Sequence, residues 1–324
     1  MARSTTPPAG PSDGWGISAI ALAAALWAVA AAIASRLFDR GIDPFELAEA
    51  RSFIAFAGLC LLPAARRPAQ RPSPGIRILW LGLSIALVNT TYYVAIDRLP
   101  VAVALVFQYT APAGVVAWTV LVQHKKVGAP VVAALLGAIA GVVLVSQLAV
   151  AEIAEVDLLG VAAALGSAVF FAAYTLLSES VARSYGPVGG LARGFGVAAI
   201  AWAAFQAARG WPAELFDPSN LGLVLYVGVG GTLAPFLLYV WGVQRVRSAR
   251  GSIAATLEPV VGGAVGWVWL GQHLTAMQLA GGALVVGAVL SLQRASGSSG
   301  AEPRTEPLNR GLGTDDTVAE EELA

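Results

Sequence analysis

Residues 92–112 read YYVAIDRLPVAVALVFQYTAP, and residues 239–259 read YVWGVQRVRSARGSIAATLEP. The second stretch matches the first displaced by 147 positions. Tyr92, Arg98, Ala102, Val106 and Pro112 fall on Tyr239, Arg245, Ala249, Ile253 and Pro259, and upstream Trp80 falls on Val227. Working outward, the correspondence continues in the same order. Gly16 pairs with Gly160, Leu26-Trp27 with Phe170-Phe171, Arg51 with Arg193, and Phe53 with Phe195. After a two-residue gap, Gly137 pairs with Gly282 and Ser146 with Ser291. One such match in alanine-rich sequence means little. Their shared order and spacing identify an internal duplication.

Composition gives the duplicated unit its solvent. The chain has 324 residues, 57% hydrophobic and 12% charged, with a formal net charge of 0. Its mean hydropathy is +0.70. Soluble domains carry about 25% charged residues, so half that level leaves too few polar groups to face water. One cysteine (Cys60) and two histidines (His124, His273) exclude an internal disulfide and argue against a Cys- or His-based metal centre. No metal, cofactor or catalytic residue is expected.

A bilayer core about 30 Å thick is crossed by roughly 20 apolar residues in helical form. Ten such segments are expected, near 16–36, 46–65, 76–96, 100–121, 129–149, 157–179, 188–208, 221–243, 251–270 and 275–293. Helices follow from segment length and from the need to satisfy backbone groups internally. The fold class expected is therefore all-α integral membrane, with two five-helix repeats at 16–149 and 157–293. Five is odd, so the second repeat enters from the opposite side and the repeats are inverted.

The loops orient the chain. One alternate set holds ten Lys or Arg residues (Arg66, Arg67, Arg71, Arg77, Lys125, Lys126, Arg183, Arg245, Arg247, Arg250), against four in the other (Arg36, Arg40, Arg98, Arg209). The second set also carries acids, among them Asp39, Asp43, Asp97, Glu152, Glu155, Asp157, Glu214 and Asp217. The basic set is expected in the cytoplasm, which places both termini there. The alanine-rich, low-lysine composition points to a GC-rich bacterial genome, for which the plasma membrane is expected. Residues 1–15 read as a short cytoplasmic N-terminus. The first segment is too long and too weakly flanked by basic residues for a signal peptide. Residues 294–324 hold three basic and seven acidic residues after a Ser/Gly linker, and read as a disordered acidic cytoplasmic tail. The zero net charge is a cancellation between a body of +4 and a tail of −4.

With this frame the sequence resembles the drug/metabolite transporter superfamily, and within it the ten-helix EamA-type transporters, over residues 16–293. The resemblance rests on the doubled five-span unit and on Thr256-Leu257-Glu258-Pro259-Val260 opening segment nine. Trp269-Leu270-Gly271-Gln272 closes that segment, and Arg51 and Arg193 sit inside segments two and seven. The family often has Glu where Gln272 stands, so a carboxylate role there does not carry over. The resemblance implies secondary transport of small metabolites such as amino acids, commonly export, by alternating access between the repeats.

The residues that could carry this are polar or proline residues inside spans. Glu258 lies about seven residues into segment nine, roughly 10 Å deep at 1.5 Å per residue. An intramembrane carboxylate needs a partner, water or a proton. It reads either as a proton- or cation-coupling group or as a structural one, and its repeat mate is Ala111. Pro112, Pro235 and Pro259 lack an amide hydrogen, which frees the carbonyls of Gln108, Gly231 and Ala255. A carbonyl freed in lipid must face protein or water, so these helices are expected to border a cavity as hinges or kinks. Arg51 and Arg193 are expected to be structural or gating residues, paired with Glu46, Glu49 or Glu179 or reaching toward headgroups. Substrate contacts are expected from Trp27, Asn89, Tyr92, Tyr93, Gln108, Tyr174, Tyr239 and Glu258, with Tyr109 in the same polar and aromatic group. Trp15, Trp118 and Trp211 read as interfacial belt residues. Gly137 and Gly141, Gly190 and Gly194, and Gly262 and Gly266 form small-residue faces, for packing within the chain or in a homodimer.

The expected partners are a small-molecule substrate, a coupling proton or counter-ion, and the lipid bilayer, with no nucleic acid. No Gly-x-x-x-x-Gly-Lys run is present, so the chain carries no P-loop of its own. A membrane-embedded enzyme and a non-transporting membrane partner protein are the alternatives. The first would cluster His, Asp, Ser or Cys at span ends, and the second predicts neither inverted symmetry nor matched kinks.

Overall fold

The computed structural model describes residues 12–70, 74–146, 157–209, 215, 217–270 and 275–298. Residues 1–11, the acidic tail from 299, Arg71, Glu152, Glu155, Trp211, Glu214, Gln272 and His273 lie outside the described residues.

Among the described residues every regular element is helical. The first half comprises α1 (Ser12–Phe38), α2 (Pro44–Cys60), a 3-10 turn (Pro63–Arg66), α3 (Gly75–Arg98), α4 (Val101–Gln108), α5 (Ala111–Leu121) and α6 (Ala129–Val145). The second comprises α7 (Leu158–Arg209), α8 (Pro218–Gly228), a π turn (Val229–Leu233), α9 (Ala234–Val246), α10 (Ser248–Ala254), α11 (Leu257–Leu270) and α12 (Ala276–Ser298). Five helical stretches are long and apolar enough to cross a membrane: Gly14–Phe38, Gly75–Arg98, Val103–Leu121, Leu158–Ala208 and Pro218–Val246. Ala129–Val145 and Ala276–Leu292 are shorter apolar helices. The 52-residue α7 covers two of the ten expected segments. It breaks at Gly186, whose φ of 72° and ψ of 169° are open to glycine and costly for other residues, and Pro187 follows.

Local sequence explains where helices start. Asp43 precedes Pro44 and accepts the Phe45 amide at 2.7 Å; Asp217 precedes Pro218 and accepts the Ser219 amide at 2.8 Å. A carboxylate at the N-cap satisfies a free amide, and proline at the next position loses no hydrogen bond. Asp157 caps α7 through the amides of Leu159 and Gly160 and pairs with Arg98 at 2.9 Å.

The surface is turned inside out relative to a soluble protein. Large apolar side chains such as Leu61, Ile200, Trp15 and Val169 are exposed, whereas Glu49, Arg51, Asn89, Gln108 and Glu258 are buried. Hydrocarbon solvent favours that arrangement, because charged and polar groups are costly there unless they face the protein interior.

The packing repeats itself between halves. α1 lies on α9 and α3 lies on α7, while α6 lies on α12. Gly16 abuts Arg245 and Val246, and its repeat mate Gly160 abuts Arg98 and Leu99. A Cβ on Gly16 would meet Val246 Cγ1 at 2.9 Å, and one on Gly160 would meet Leu99 Cγ at 2.7 Å. The small-residue faces pack within the chain: Gly141 meets the Gly281 backbone, Gly194 meets Leu81 and Ile85, and Gly262 approaches Ala28.

Candidate functional site

Three helices break close to the centre of the molecule, and prolines account for the breaks. α4 stops at Gln108 and α5 starts at Ala111, just before Pro112; α10 stops at Ala254 and α11 starts at Leu257, just before Pro259. The third break is the π turn Val229–Leu233, immediately ahead of Pro235.

Two of the freed carbonyls have identifiable partners. Gly231 O accepts Arg51 Nη2 at 2.8 Å. Ala255 O accepts the Tyr109 hydroxyl at 2.8 Å and the Glu258 amide at 3.1 Å. The sequence predicts that these carbonyls turn toward protein or water, and they turn toward the two groups that anchor the site.

Arg51 is 4% exposed in the middle of α2. Besides Gly231 O, its Nε donates to Thr232 Oγ1 at 2.6 Å, and Thr232 in turn donates to Val227 O at 2.7 Å. Its guanidinium stands 4.9 Å from the Tyr93 ring centroid and 6.0 Å from that of Phe236. Donor fork, carbonyl and aromatic face together hold the cation without an acid. The expected carboxylate partners are thus replaced. Arg193 likewise donates to the backbone carbonyls of Ala65, Gly189 and Arg67, and stacks over Tyr185. Glu179 is taken by Arg183 at 2.7 Å and by Ser248, whose amide reaches it at 2.9 Å and whose hydroxyl also bonds it. Because Arg193 sits apart from the cavity, the two arginines are repeat mates in sequence but not in surroundings.

Glu258, 5% exposed, receives the Tyr109 hydroxyl on Oε2 at 2.6 Å. The Tyr92 hydroxyl lies toward the same carboxylate but short of a hydrogen bond. Tyr109 stands at the break in the first half and Glu258 at the break in the second. One hydroxyl therefore ties the two broken helices together.

Between Arg51 and Glu258 lies a cavity of about 40 Å³. Six of the eight residues expected to contact substrate line it: Trp27, Asn89, Tyr92, Tyr93, Gln108 and Glu258. Arg51, Phe171 and Phe236 complete its main walls. Arg51 and Glu258 carry opposite charge on one cavity, yet no ion pair joins them among the described residues. Asn89 Nδ2, Tyr92 Oη, Tyr93 Oη and Gln108 Oε1 are buried without a protein partner. An unpaired polar atom in a low-dielectric interior costs about 1–3 kcal/mol, so four of them around one space mark a place built to receive polar groups or water.

Tyr174 and Tyr239 stand one layer behind the wall. Tyr239 stacks against Tyr174 at 5.8 Å and tilts against Trp27 at 5.4 Å, and its hydroxyl bonds Thr175 Oγ1 at 2.8 Å. They support Trp27, Phe171 and Phe236, since Tyr174 also contacts Phe236 at 5.2 Å. Trp27 and its repeat mate Phe171 meet edge to face at 6.1 Å, placing the first helix of each half on the same cavity. Phe236 and Thr232 were not legible as site residues: a phenylalanine in an apolar helix does not reveal which face it occupies. Their one available signal is proximity to Pro235.

The EamA-like transporter family matches the chain twice, over residues 14–147 and 158–293. An uncharacterized transporter of Archaeoglobus fulgidus is 27% identical over 278 residues, which is 85% of this chain and 95% of the relative. The threonine/homoserine exporter RhtA of Salmonella typhimurium is 29% identical over 203 residues, 62% of this chain and 65% of its own length. RhtA of Escherichia coli K12 is 27% identical over 220 residues, 68% and 70% of the two chains. A solved crystal structure, 20% identical, superposes with a TM-score of 0.67 over 88% of this chain and 98% of its own, so the two share a fold.

Proposed function

The chain belongs to the EamA-like transporter family, and from that premise we propose that this multi-pass membrane protein exports small amino acids in exchange for protons, by alternating access between its inverted repeats. The observation that carries the reading is a cation and an anion on one buried cavity, unpaired with each other and supplied by different halves. A zwitterion spans such a pair, its carboxylate toward the Arg51 fork and its ammonium toward Glu258. Asn89, Gln108 and Tyr92 are placed to receive a short polar side chain. The threonine/homoserine exporters among the relatives support a solute of that kind. At about 40 Å³ the cavity is far below the roughly 300 Å³ at which ligand pockets begin, so we read this form as a contracted site that must widen to admit a solute.

Coupling follows from counting hydrogens. The Tyr109 hydroxyl has one hydrogen and two short oxygen neighbours, Ala255 O and Glu258 Oε2. With Glu258 ionised the one hydrogen is shared between two acceptors, whereas a protonated Glu258 would donate to Tyr109 and leave the hydroxyl hydrogen to Ala255 O. A substrate ammonium at Glu258 takes the place of that proton. Proton and solute thus compete for one carboxylate, which is the minimal device for antiport. The export direction rests on the family and on the exporters among the relatives.

The test is flux in proteoliposomes loaded with individual amino acids under an imposed pH gradient. Wild type is expected to move threonine or a close relative against its gradient, and Glu258→Gln to lose gradient-driven movement. Undiminished proton dependence in Glu258→Gln rejects the coupling role. Turnover in detergent, without two compartments, would favour an enzyme instead. Accumulation of one amino acid inside a deletion strain would name the solute and the direction together.

A further inference from the structure

A second concavity opens on the lipid-facing side between α3, α5 and α7, with a volume of about 960 Å³. Its walls are apolar and face outward: Trp80, Trp118 and Val169 are 56%, 48% and 65% exposed. Along α3 it runs from Arg77 to Leu87, about 15 Å at 1.5 Å per residue, or the depth of one leaflet of a core roughly 30 Å thick. One end is basic, because Arg77, Lys125 and Arg183 all line it. A single carboxylate, Glu179, bonds Arg183, and its other oxygen is occupied by Ser248. Arg77 donates to Ser180 at 3.1 Å and gains no neutralising partner from that bond. The groove therefore combines a mouth of three cations against one carboxylate with an apolar channel one leaflet deep.

The duplication does not repeat these cations at the equivalent positions. Displaced by 147 positions, Arg77 and Lys125 fall on Val224 and Gln272; displaced by 144, as Gly16 is to Gly160, Arg183 corresponds to Asp39. Arg77 and Lys125 belong to the first repeat and Arg183 to the second, and none of the three has a basic residue at its mate's position.

We propose that this groove seats an anionic phospholipid, its phosphate between Arg77, Lys125 and Arg183 and an acyl chain along α3 and α7 beneath the Trp80 and Trp118 rings. A soluble phosphate would use the mouth and leave the channel uncovered. A zwitterionic lipid would fill the channel but bring its own cation to the mouth. Anionic phospholipid satisfies both parts. The site is separate from the central cavity, and its occupancy is read by binding, independently of any transport activity.

The experiment is native mass spectrometry of the full chain released from nanodiscs containing equal phosphatidylglycerol and phosphatidylcholine of matched chains. Wild type is expected to retain one phosphatidylglycerol in preference to phosphatidylcholine. The Arg77→Gln/Lys125→Gln variant, which leaves the Arg183–Glu179 pair intact, is expected to bind it about thirtyfold more weakly, at roughly fivefold per cation. A melting curve of the variant in detergent matching wild type certifies its fold. Equal retention of the two lipids by wild type overturns the proposal, as does undiminished phosphatidylglycerol retention by the variant. Displacement of the lipid by millimolar glycerol phosphate would reduce the groove to a phosphate site and overturn it too.

Discussion

Removing one oxygen atom, with Tyr109→Phe, tests the junction between the two halves. The ring stays, so packing is preserved. What disappears is the hydroxyl that reaches Ala255 O at 2.8 Å and Glu258 Oε2 at 2.6 Å. A neutral hydrogen bond contributes about 0.5–1.5 kcal/mol net, and one to a charged group about 1.5–3 kcal/mol. Ala255 O keeps the Glu258 amide at 3.1 Å, and a cavity of about 40 Å³ admits water that takes over part of the lost contact. The net cost is therefore about 1.4 kcal/mol, which corresponds to tenfold more frequent opening of the junction. Hydrogen–deuterium exchange reads it locally. Amides in 105–111 and 253–258 are expected to exchange about tenfold faster in Tyr109→Phe, while those in α6 stay unchanged. Exchange at both junctions within twofold of wild type would refute the bridging role, and a uniform increase that includes α6 would mean global loosening.

Arg51→Lys keeps the charge but cannot serve Thr232 Oγ1 and Gly231 O with a rigid fork, so flux per unit of membrane protein is expected to fall at least tenfold at unchanged expression. Gly141→Ala puts a Cβ 2.7 Å from Gly281 O and 2.6 Å from Val285 Cγ2, which forces α6 and α12 apart at about 1–3 kcal/mol. A clear fall in melting temperature checks this, with Gly114→Ala as the harmless control, since its Cβ would meet Ala172 Cβ at 3.7 Å. Asp157 is held below the usual aspartate range, first by its Arg98 hydrogen bond and then by the Gly160 amide. A depressed carboxyl stabilises the fold above its unfolded value of about 3.9 and loses that contribution as pH falls through its own lower value. The melting difference between wild type and Asp157→Asn is therefore expected to be full at neutral pH and to shrink progressively as pH falls below about 3.9.

Glu258, Arg51 and the prolines could be picked out from sequence because each is expensive in hydrocarbon and needs a reason. Their partners could not, since Tyr109 and Glu258 are 149 positions apart and Arg51 and Thr232 are 181 apart. The duplication located equivalent backbone breaks, at Gln108 and Ala255, because the same proline sits just beyond both. It misled for side chains: Tyr92 lines the cavity, whereas its mate Tyr239 stands behind and bonds Thr175. A symmetric fold carries an asymmetric site wherever one copy holds Ala111 and the other Glu258. Within 158–209 the two expected segments are separated by the non-helical Gly186, followed by Pro187, so the break there was legible from glycine and proline.

The contact between α6 and α12 has a practical consequence. At Gly141 and Gly281 the two main chains touch with no side chain between them, and Gln278 Nε2 reaches across to Val145 O at 3.4 Å. Surfaces in that register cannot slide without one carbonyl climbing over another. Probes attached near Val132 and Leu290, both exposed and far from the cavity lining, would therefore supply a fiducial distance. Against that ruler, any separation measured between other helices during turnover can be assigned to the cycle and not to the label.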